Sequence, residues 1–253
     1  MKRIKSIAFL SIKEFIKGRS FYATLFIGVI VFMLTFVSAQ LTYKTVAKTT
    51  IDIGQTIIYF FLIFTSLFIS ANSIKNEIEN GTLPLVLSQG VSRLEFFIGK
   101  TLGKILIIVM IFTFLSTLVI SLYYFFGGDF DINIIYSLST LLISVMVISA
   151  MSLLFSFFLN EYLNYFLCFS IFFFTSLFEG ISTSRFFIKG VMAKFLEYLN
   201  LALPNFYKLN LSNYVGEAPL DSLLYVKIVI YGLMYYLVIC TLSFFVFKSR
   251  DIH

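Results

Sequence analysis

The sequence is poor in charge. Asp, Glu, Lys and Arg make up 13% of its 253 residues, while 59% are hydrophobic. Soluble domains carry about 25% charged and about 45–50% apolar residues. Half the usual charge cannot cover a water-facing surface of this size, so lipid must be the solvent for most of it. Histidine is almost missing. The single one, His253, stands last, which excludes metal sites built on histidine pairs and leaves no nucleophile–base set for a membrane enzyme. Cysteine is scarce too: Cys168 and Cys240 both fall inside apolar runs and read as small core residues, not as a disulfide framework. Charge is also lacking at the centres of the apolar runs, where ion-coupled carriers keep the groups that carry charge. Asp52, Glu161 and Glu179 stand only at the edges of runs. No inverted repeat with interrupted helices stands out.

What is present is a series of apolar stretches at residues 20–40, 51–71, 101–126, 136–159, 162–178 and 224–247. Each is long enough to cross about 30 Å of hydrocarbon at roughly 1.5 Å per residue. Backbone polar groups in lipid must be paired internally, which helices do locally, and no period-2 barrel pattern competes. The expected fold is an all-α integral membrane protein with six transmembrane helices, forming a single domain over residues 1–253. The 33 phenylalanines read as lipid-facing bulk, with an aromatic substrate pathway as the alternative.

The net charge of +6 comes from basic residues at the ends of apolar runs. That pattern fixes topology; nucleic-acid binding would call for a basic stripe with interleaved aromatics. Lys2, Arg3, Lys5, Lys13, Lys17 and Arg19 precede the first run, Lys75, Arg93, Lys100 and Lys104 follow the second, and Lys248 and Arg250 follow the last. With six spans all of these fall on one side, so both termini are predicted cytoplasmic. The opposite short loops hold only Lys44 and Lys48, or no basic residue at all around 127–133. Arg185, Lys189, Lys194 and Lys208 in the long loop 179–223 oppose this mildly, and loops of that length weigh less in the rule.

The start does not read as a cleaved signal, because its apolar stretch 7–10 is too short. Ile4, Ile7, Ala8, Ile12, Phe15 and Ile16 can share one helical face, so residues 1–19 are expected to form an amphipathic helix on the membrane surface. The alternative is a basic tail that only sets topology. In the outer loop, Phe186, Phe187, Val191, Phe195, Leu196 and Leu199 suggest short amphipathic helices ended by Pro204-Asn205. They would cap spans five and six, or form a lid.

The segment 72–104 is the most informative. Ile74 and Ile78 lie four apart among Lys75, Asn76, Glu77 and Glu79, and Gly81 stands where a helix would end in a left-handed cap. Ser92 and Glu95 fit a capping box, with Val91 and Phe96 placed for a hydrophobic staple. A helix should therefore start at Arg93 and run into the third span, displaying Arg93, Glu95 and Lys100. Gly99-Lys100-Thr101 looks like the end of a phosphate-binding loop, but the leading glycine would fall at Leu94 and no strand precedes it. Gly99 and Gly103 make a small-xxx-small pair that permits close helix approach.

The order Glu77, Gly81, Thr82, Leu83, then Ser92, Arg93, then Gly99, Lys100 at the entry to a span resembles the ABC-2 type permeases, the membrane subunits of one class of ATP-binding-cassette transporters. The whole layout resembles them too, except that a proline common near Val91 is absent. The resemblance implies an ATP-driven permease, leaning to export, in the cytoplasmic membrane of a prokaryote. It implies a cytoplasmic coupling segment within 72–100 that docks on a separate ATPase. By position Ile74, Lys75, Glu77, Ile78, Glu79, Gly81 and Thr82 would carry that contact, with Ser92, Arg93, Glu95 and Lys100 at the following helix start. ATP and Mg would bind the partner ATPase and no cofactor this chain; a second permease copy would complete the path. The rival reading is a channel or ion-coupled carrier that needs no ATPase.

Overall fold

The computed structural model describes residues 2–41, 46–183, 203–217 and 220–249. Among them all regular structure is helical. The helices are α1 (Lys2–Lys17), α2 (Arg19–Gln40), α3 (Val46–Asn72), α4 (Lys75–Glu79), α5 (Thr82–Ser88), α6 (Arg93–Phe125), α7 (Ile132–Ser156), α8 (Glu161–Thr183) and α9 (Ser222–Ser249). A 3-10 turn at Ser212–Tyr214 lies before α9.

Five helical stretches are long and apolar enough to cross a membrane: Phe21–Gln40, Val46–Glu79, Arg93–Phe125, Ile132–Ser156 and Ser222–Ser249. The fifth predicted crossing falls on α8, which is helical over 23 residues but is not among these five. The expected short helices of the outer loop fall on 184–202, outside the described residues.

The bundle is built around α7, which packs against α3, α8 and α9, while α6 lies against α1, α2 and α3. The buried side of α7 is lined with small polar residues: Ser137, Thr140, Ser144, Ser149, Ser152 and Ser156. Most bond back to their own helix, as Ser144 does to the Thr140 carbonyl at 3.0 Å. They therefore let neighbours come close without leaving polar groups unpaired in an apolar interior. Two of them also tie helices together. Ser137 donates to Gln55 Oε1 on α3 at 2.8 Å, and the Ser152 carbonyl accepts from Asn164 Nδ2 on α8 at 2.9 Å. Outward faces carry large apolar residues such as Phe26, Val37, Phe64, Phe166 and Leu237, as expected where lipid is the solvent.

The phenylalanines are not only lipid-facing bulk. Phe64 stacks on Phe169 with ring centroids 5.4 Å apart, and Phe68 meets Tyr165 at 4.8 Å. Together with Phe60 against Phe172 at 6.4 Å, these pairs zip α3 to α8 along three successive turns. Cys168 and Cys240 are free thiols, the first buried and the second half-buried.

At the end away from α4 and α5, the stretch before α9 folds back over the bundle. Asp131 caps α7 through the Asn133 N–H at 2.8 Å and also accepts the Gly216 N–H at 2.7 Å. Asn133, fully buried, donates to the Tyr214 carbonyl at 2.8 Å and accepts from the Leu220 N–H at 3.1 Å. Phe206, Leu209, Leu211 and Val215 are buried beneath this clamp. The described part of the stretch before α9 is thus a packed cap.

The helix α1 differs from the expectation of an apolar face laid on lipid. Ile4, Ile7, Ala8, Ile12 and Phe15 turn toward the protein, while Phe9, Leu10 and Ile16 point outward. The reason is the pair Gly99 and Gly103 on α6. A Cβ on Gly99 would lie 2.8 Å from the Ile7 Cβ, and one on Gly103 would lie 2.8 Å from the Ser11 Cβ. The two missing side chains make a notch in which α1 sits. Gly103→Leu should expel it. A maleimide should then label Ser11→Cys at least severalfold faster than in the Gly103 parent; equal labelling rates would sink the notch.

Candidate functional site

The α4–α5 end is where the sequence placed its candidate residues. After α3 the chain makes the single turn of α4 and ends at Asn80, whose N–H donates to the Asn76 carbonyl at 2.9 Å. Gly81 follows with φ of 67°, a left-handed conformation that costs other residues about 1–2 kcal/mol. It reverses the chain into α5. Thr82 Oγ1 donates to the Glu77 carbonyl at 3.2 Å and closes the junction.

The sequence of this hairpin alternates inward and outward residues. Ile74 and Leu83 are fully buried, and they join Phe96 and Phe97 of α6, Leu153 of α7, Phe157 just after α7 and Phe247 of α9 in one cluster. Ile78, Val86 and Leu87 pack on its rim. Glu79, Asn80, Gly81, Thr82, Pro84 and Leu85 are exposed, Leu85 at 66%. A separate apolar core therefore fixes α4 and α5 to the ends of three long helices while leaving one side open.

Ser92 caps α6. Its Oγ accepts the Glu95 N–H at 3.2 Å, and Glu95 Oε2 accepts the Ser92 N–H at 3.1 Å, so both halves of the capping box are closed. Glu95 thus stays with its own helix end. Arg93 reaches the Lys248 carbonyl at the end of α9 at 2.9 Å.

Lys100 is not displayed as expected; it is 8% exposed. Its ammonium contacts the Glu77 carboxylate of α4 and lies 3.8 Å from that of Glu14 on α1. Helical geometry explains this. Lys100 follows Gly99 and precedes Gly103, so it lies on the turn against which α1 is seated, beside the start of α4. The sequence left Glu77 facing a partner, and it is tied inward to Lys100. Lys75 pairs with Glu79 at 3.8 Å and donates to the Leu159 carbonyl beyond the end of α7 at 3.3 Å. Arg3 donates to the Gly90 carbonyl between α5 and α6.

Sequence reasoning missed the burial of Lys104. It is 2% exposed and donates to the Ser149 carbonyl of α7 at 3.3 Å. Its position, four residues after Lys100 inside an apolar run, was the available signal. Lys104 lines a cavity of about 420 Å³ together with Lys100, Glu14 and Glu77. Two cations and two carboxylates make that lining neutral.

Such a bundle, apolar outside and clamped by polar contacts at both ends, defines a multi-pass helical membrane protein. The sequence matches the profile described as ABC-2 family transporter protein over residues 6–252, so the chain belongs to the ABC-2 transporter family. Members of this family are permease subunits of ABC transporters and generally work with an ABC ATPase. No curated protein matches the chain.

Removing one member of a fully buried ion pair costs about 3–5 kcal/mol; here Glu77 is half-buried and Glu14 stays 3.8 Å from Lys100, so the loss is smaller but in the same direction. Glu77→Lys should therefore lower the unfolding temperature in detergent, and adding Lys100→Glu should restore most of the loss. Strictly additive losses in the two single variants and the double would refute the pairing.

Proposed function

We propose that this chain is the membrane half of an ATP-driven exporter, coupled to a separate ATPase through α4 and α5. The observation that carries this reading is the α4–α5 hairpin. It is short, exposed on one side, and bound by an apolar cluster to α6, α7 and α9 on the other. A push on it would be passed to three long helices together. In this reading ATP and Mg bind the ATPase, no cofactor binds this chain, and a second permease copy completes the path. The chain crosses the cytoplasmic membrane of a prokaryote six times, α8 included, with both termini and α1 on the cytoplasmic side. The outward residues Phe9, Leu10 and Ile16 of α1 would dip into the leaflet.

The docking surface follows from exposure. Of the residues expected to touch the ATPase, Ile74 is buried and Glu77 is paired to Lys100, so they hold the hairpin in place. Lys75 and Ile78 are half-buried in the same role. Glu79, Gly81 and Thr82 remain on the open side, joined by Pro84 and Leu85 of α5. Leu85 is the apolar anchor and Glu79 the charge beside it.

An ion-coupled carrier is less well supported. Asp52 on α3 and the buried Lys104 on α6 lie far apart; the base that acts on Asp52 is Lys48, one turn earlier at the start of the same helix. Gly54, two residues from Asp52, packs on Val119 of α6. Val119 and Lys104 are separated by about 22 Å at roughly 1.5 Å per residue. That distance is too long for a proton to pass directly.

An ATPase should co-purify with the tagged chain in mild detergent. Leu85→Asp combined with Glu79→Lys should weaken that association about thirtyfold, the loss typical of an interface anchor worth roughly 2 kcal/mol, while membrane insertion stays normal. Failure to recover any ATPase with the parent chain, or equal recovery with the double variant, would overturn the reading.

A further inference from the structure

A second cavity lies at the opposite end of the bundle, between α3, α7, α8 and the cap. It holds about 250 Å³. Its floor is made of Gln55, Ser137, Leu141, Phe172 and Phe206, all buried. Its mouth is framed by Phe60, Phe173 and Tyr207, which are 41%, 53% and 46% exposed. No Asp, Glu, Lys or Arg lines it among the described residues.

The floor carries one polar group that the protein does not satisfy. Gln55 Oε1 accepts the Ser137 hydroxyl at 2.8 Å, but Gln55 Nε2 has no acceptor among the described residues and no contact with solvent. A buried amide donor left unpaired is costly, and native structures seldom tolerate one without a reason. Gln55 lines the cavity, so its amide stands at the wall of the space a ligand would enter. An oxygen entering there would complete its bonding. Phe172 is held edge-on by Tyr59 at 5.4 Å and by Phe206 at 5.5 Å, so the aromatic floor stands in place before anything enters.

We propose that this cavity binds a neutral molecule that presents a carbonyl oxygen on an apolar body, with Gln55 as the donor. The lining allows no charge, because nothing on so apolar a floor could neutralise a carboxylate or an ammonium. The volume lies below the roughly 300–1,000 Å³ of sites that enclose a whole drug-sized molecule. The site therefore takes one end of a ligand and leaves the rest between Phe60 and Phe173. Two sources share this chemistry: an acyl ester of a membrane lipid and a free lipophilic ketone or amide.

The test uses the full chain in lipid nanodiscs with no ATPase present, so its outcome is separate from that of the coupling reading. Three photoreactive probes are titrated: benzophenone, a monoacylglycerol with a diazirine on its acyl chain, and the corresponding diazirine fatty acid as its carboxylate. Labelled peptides of α3 and α8 are quantified by mass spectrometry. At least one neutral probe should label them saturably, and which one does so tells solute from lipid. Gln55→Leu should raise the half-saturating concentration about fivefold, the effect of one neutral hydrogen bond. Leu141→Phe, which fills the floor from α7, should abolish saturation, and it decides the matter if Gln55→Leu does not fold. Labelling by both neutral probes that rises without saturating, or saturation unchanged in the folded variants, would overturn the site. Saturable labelling by the carboxylate at equal concentration would overturn its neutral character.

Discussion

The ammonium of Lys100 is the contact on which the α4–α5 end depends. A lysine withdrawn from water must find its counter-charge inside the protein. Lys100 draws Glu14 from α1 and Glu77 from α4, so elements far apart in sequence are fixed to one turn of α6. Buried pairs add little net stability over an apolar substitute, but breaking one is costly. Their value here is positional. The notch at Gly99 and Gly103 sets how close α1 comes, and Lys100 between them sets its register.

This matters more in lipid than in water. Helices surrounded by acyl chains gain little by hiding apolar side chains from one another. Close packing and a few polar contacts must then define the arrangement. The contacts are distributed accordingly: Ser137 with Gln55 near one end, Asn164 with Ser152 and Lys104 with Ser149 further along. The cluster around Phe96 and Phe247 is a different kind of joint. It gathers the ends of α6, α7 and α9 under the α4–α5 hairpin, which makes that hairpin a handle on the bundle.

Much of this was legible because it is local. Helix lengths follow from uninterrupted apolar runs, and the capping box at Ser92 needs only four consecutive residues. The left-handed turn at Gly81 is equally local. What was hidden depends on partners distant in sequence. The Gly99–Gly103 spacing announces a close neighbour without saying which, and the apolar face of α1 suits lipid and α6 equally well. Charge was misleading for the same reason. Lys100 and Glu77 look like surface residues in a polar segment, and only the fold puts 22 intervening positions aside to join them. The cavity beneath the cap left no trace, because Gln55, Leu141, Phe172 and Phe206 come from four separate parts of the chain.

The basic residues near the α4–α5 end carry a further consequence. Arg3, Lys75, Arg93 and Lys104 each donate to a main-chain carbonyl of a different part of the fold, at Gly90, Leu159, Lys248 and Ser149. These belong to the set of residues expected to orient the chain during insertion. Biogenesis and folding thus read the same letters. A single helix inserted the wrong way round would carry its basic residue away from the carbonyl it serves and leave that carbonyl unpaired. The bundle would then fail to close at that helix, so packing sets its own requirement on helix direction.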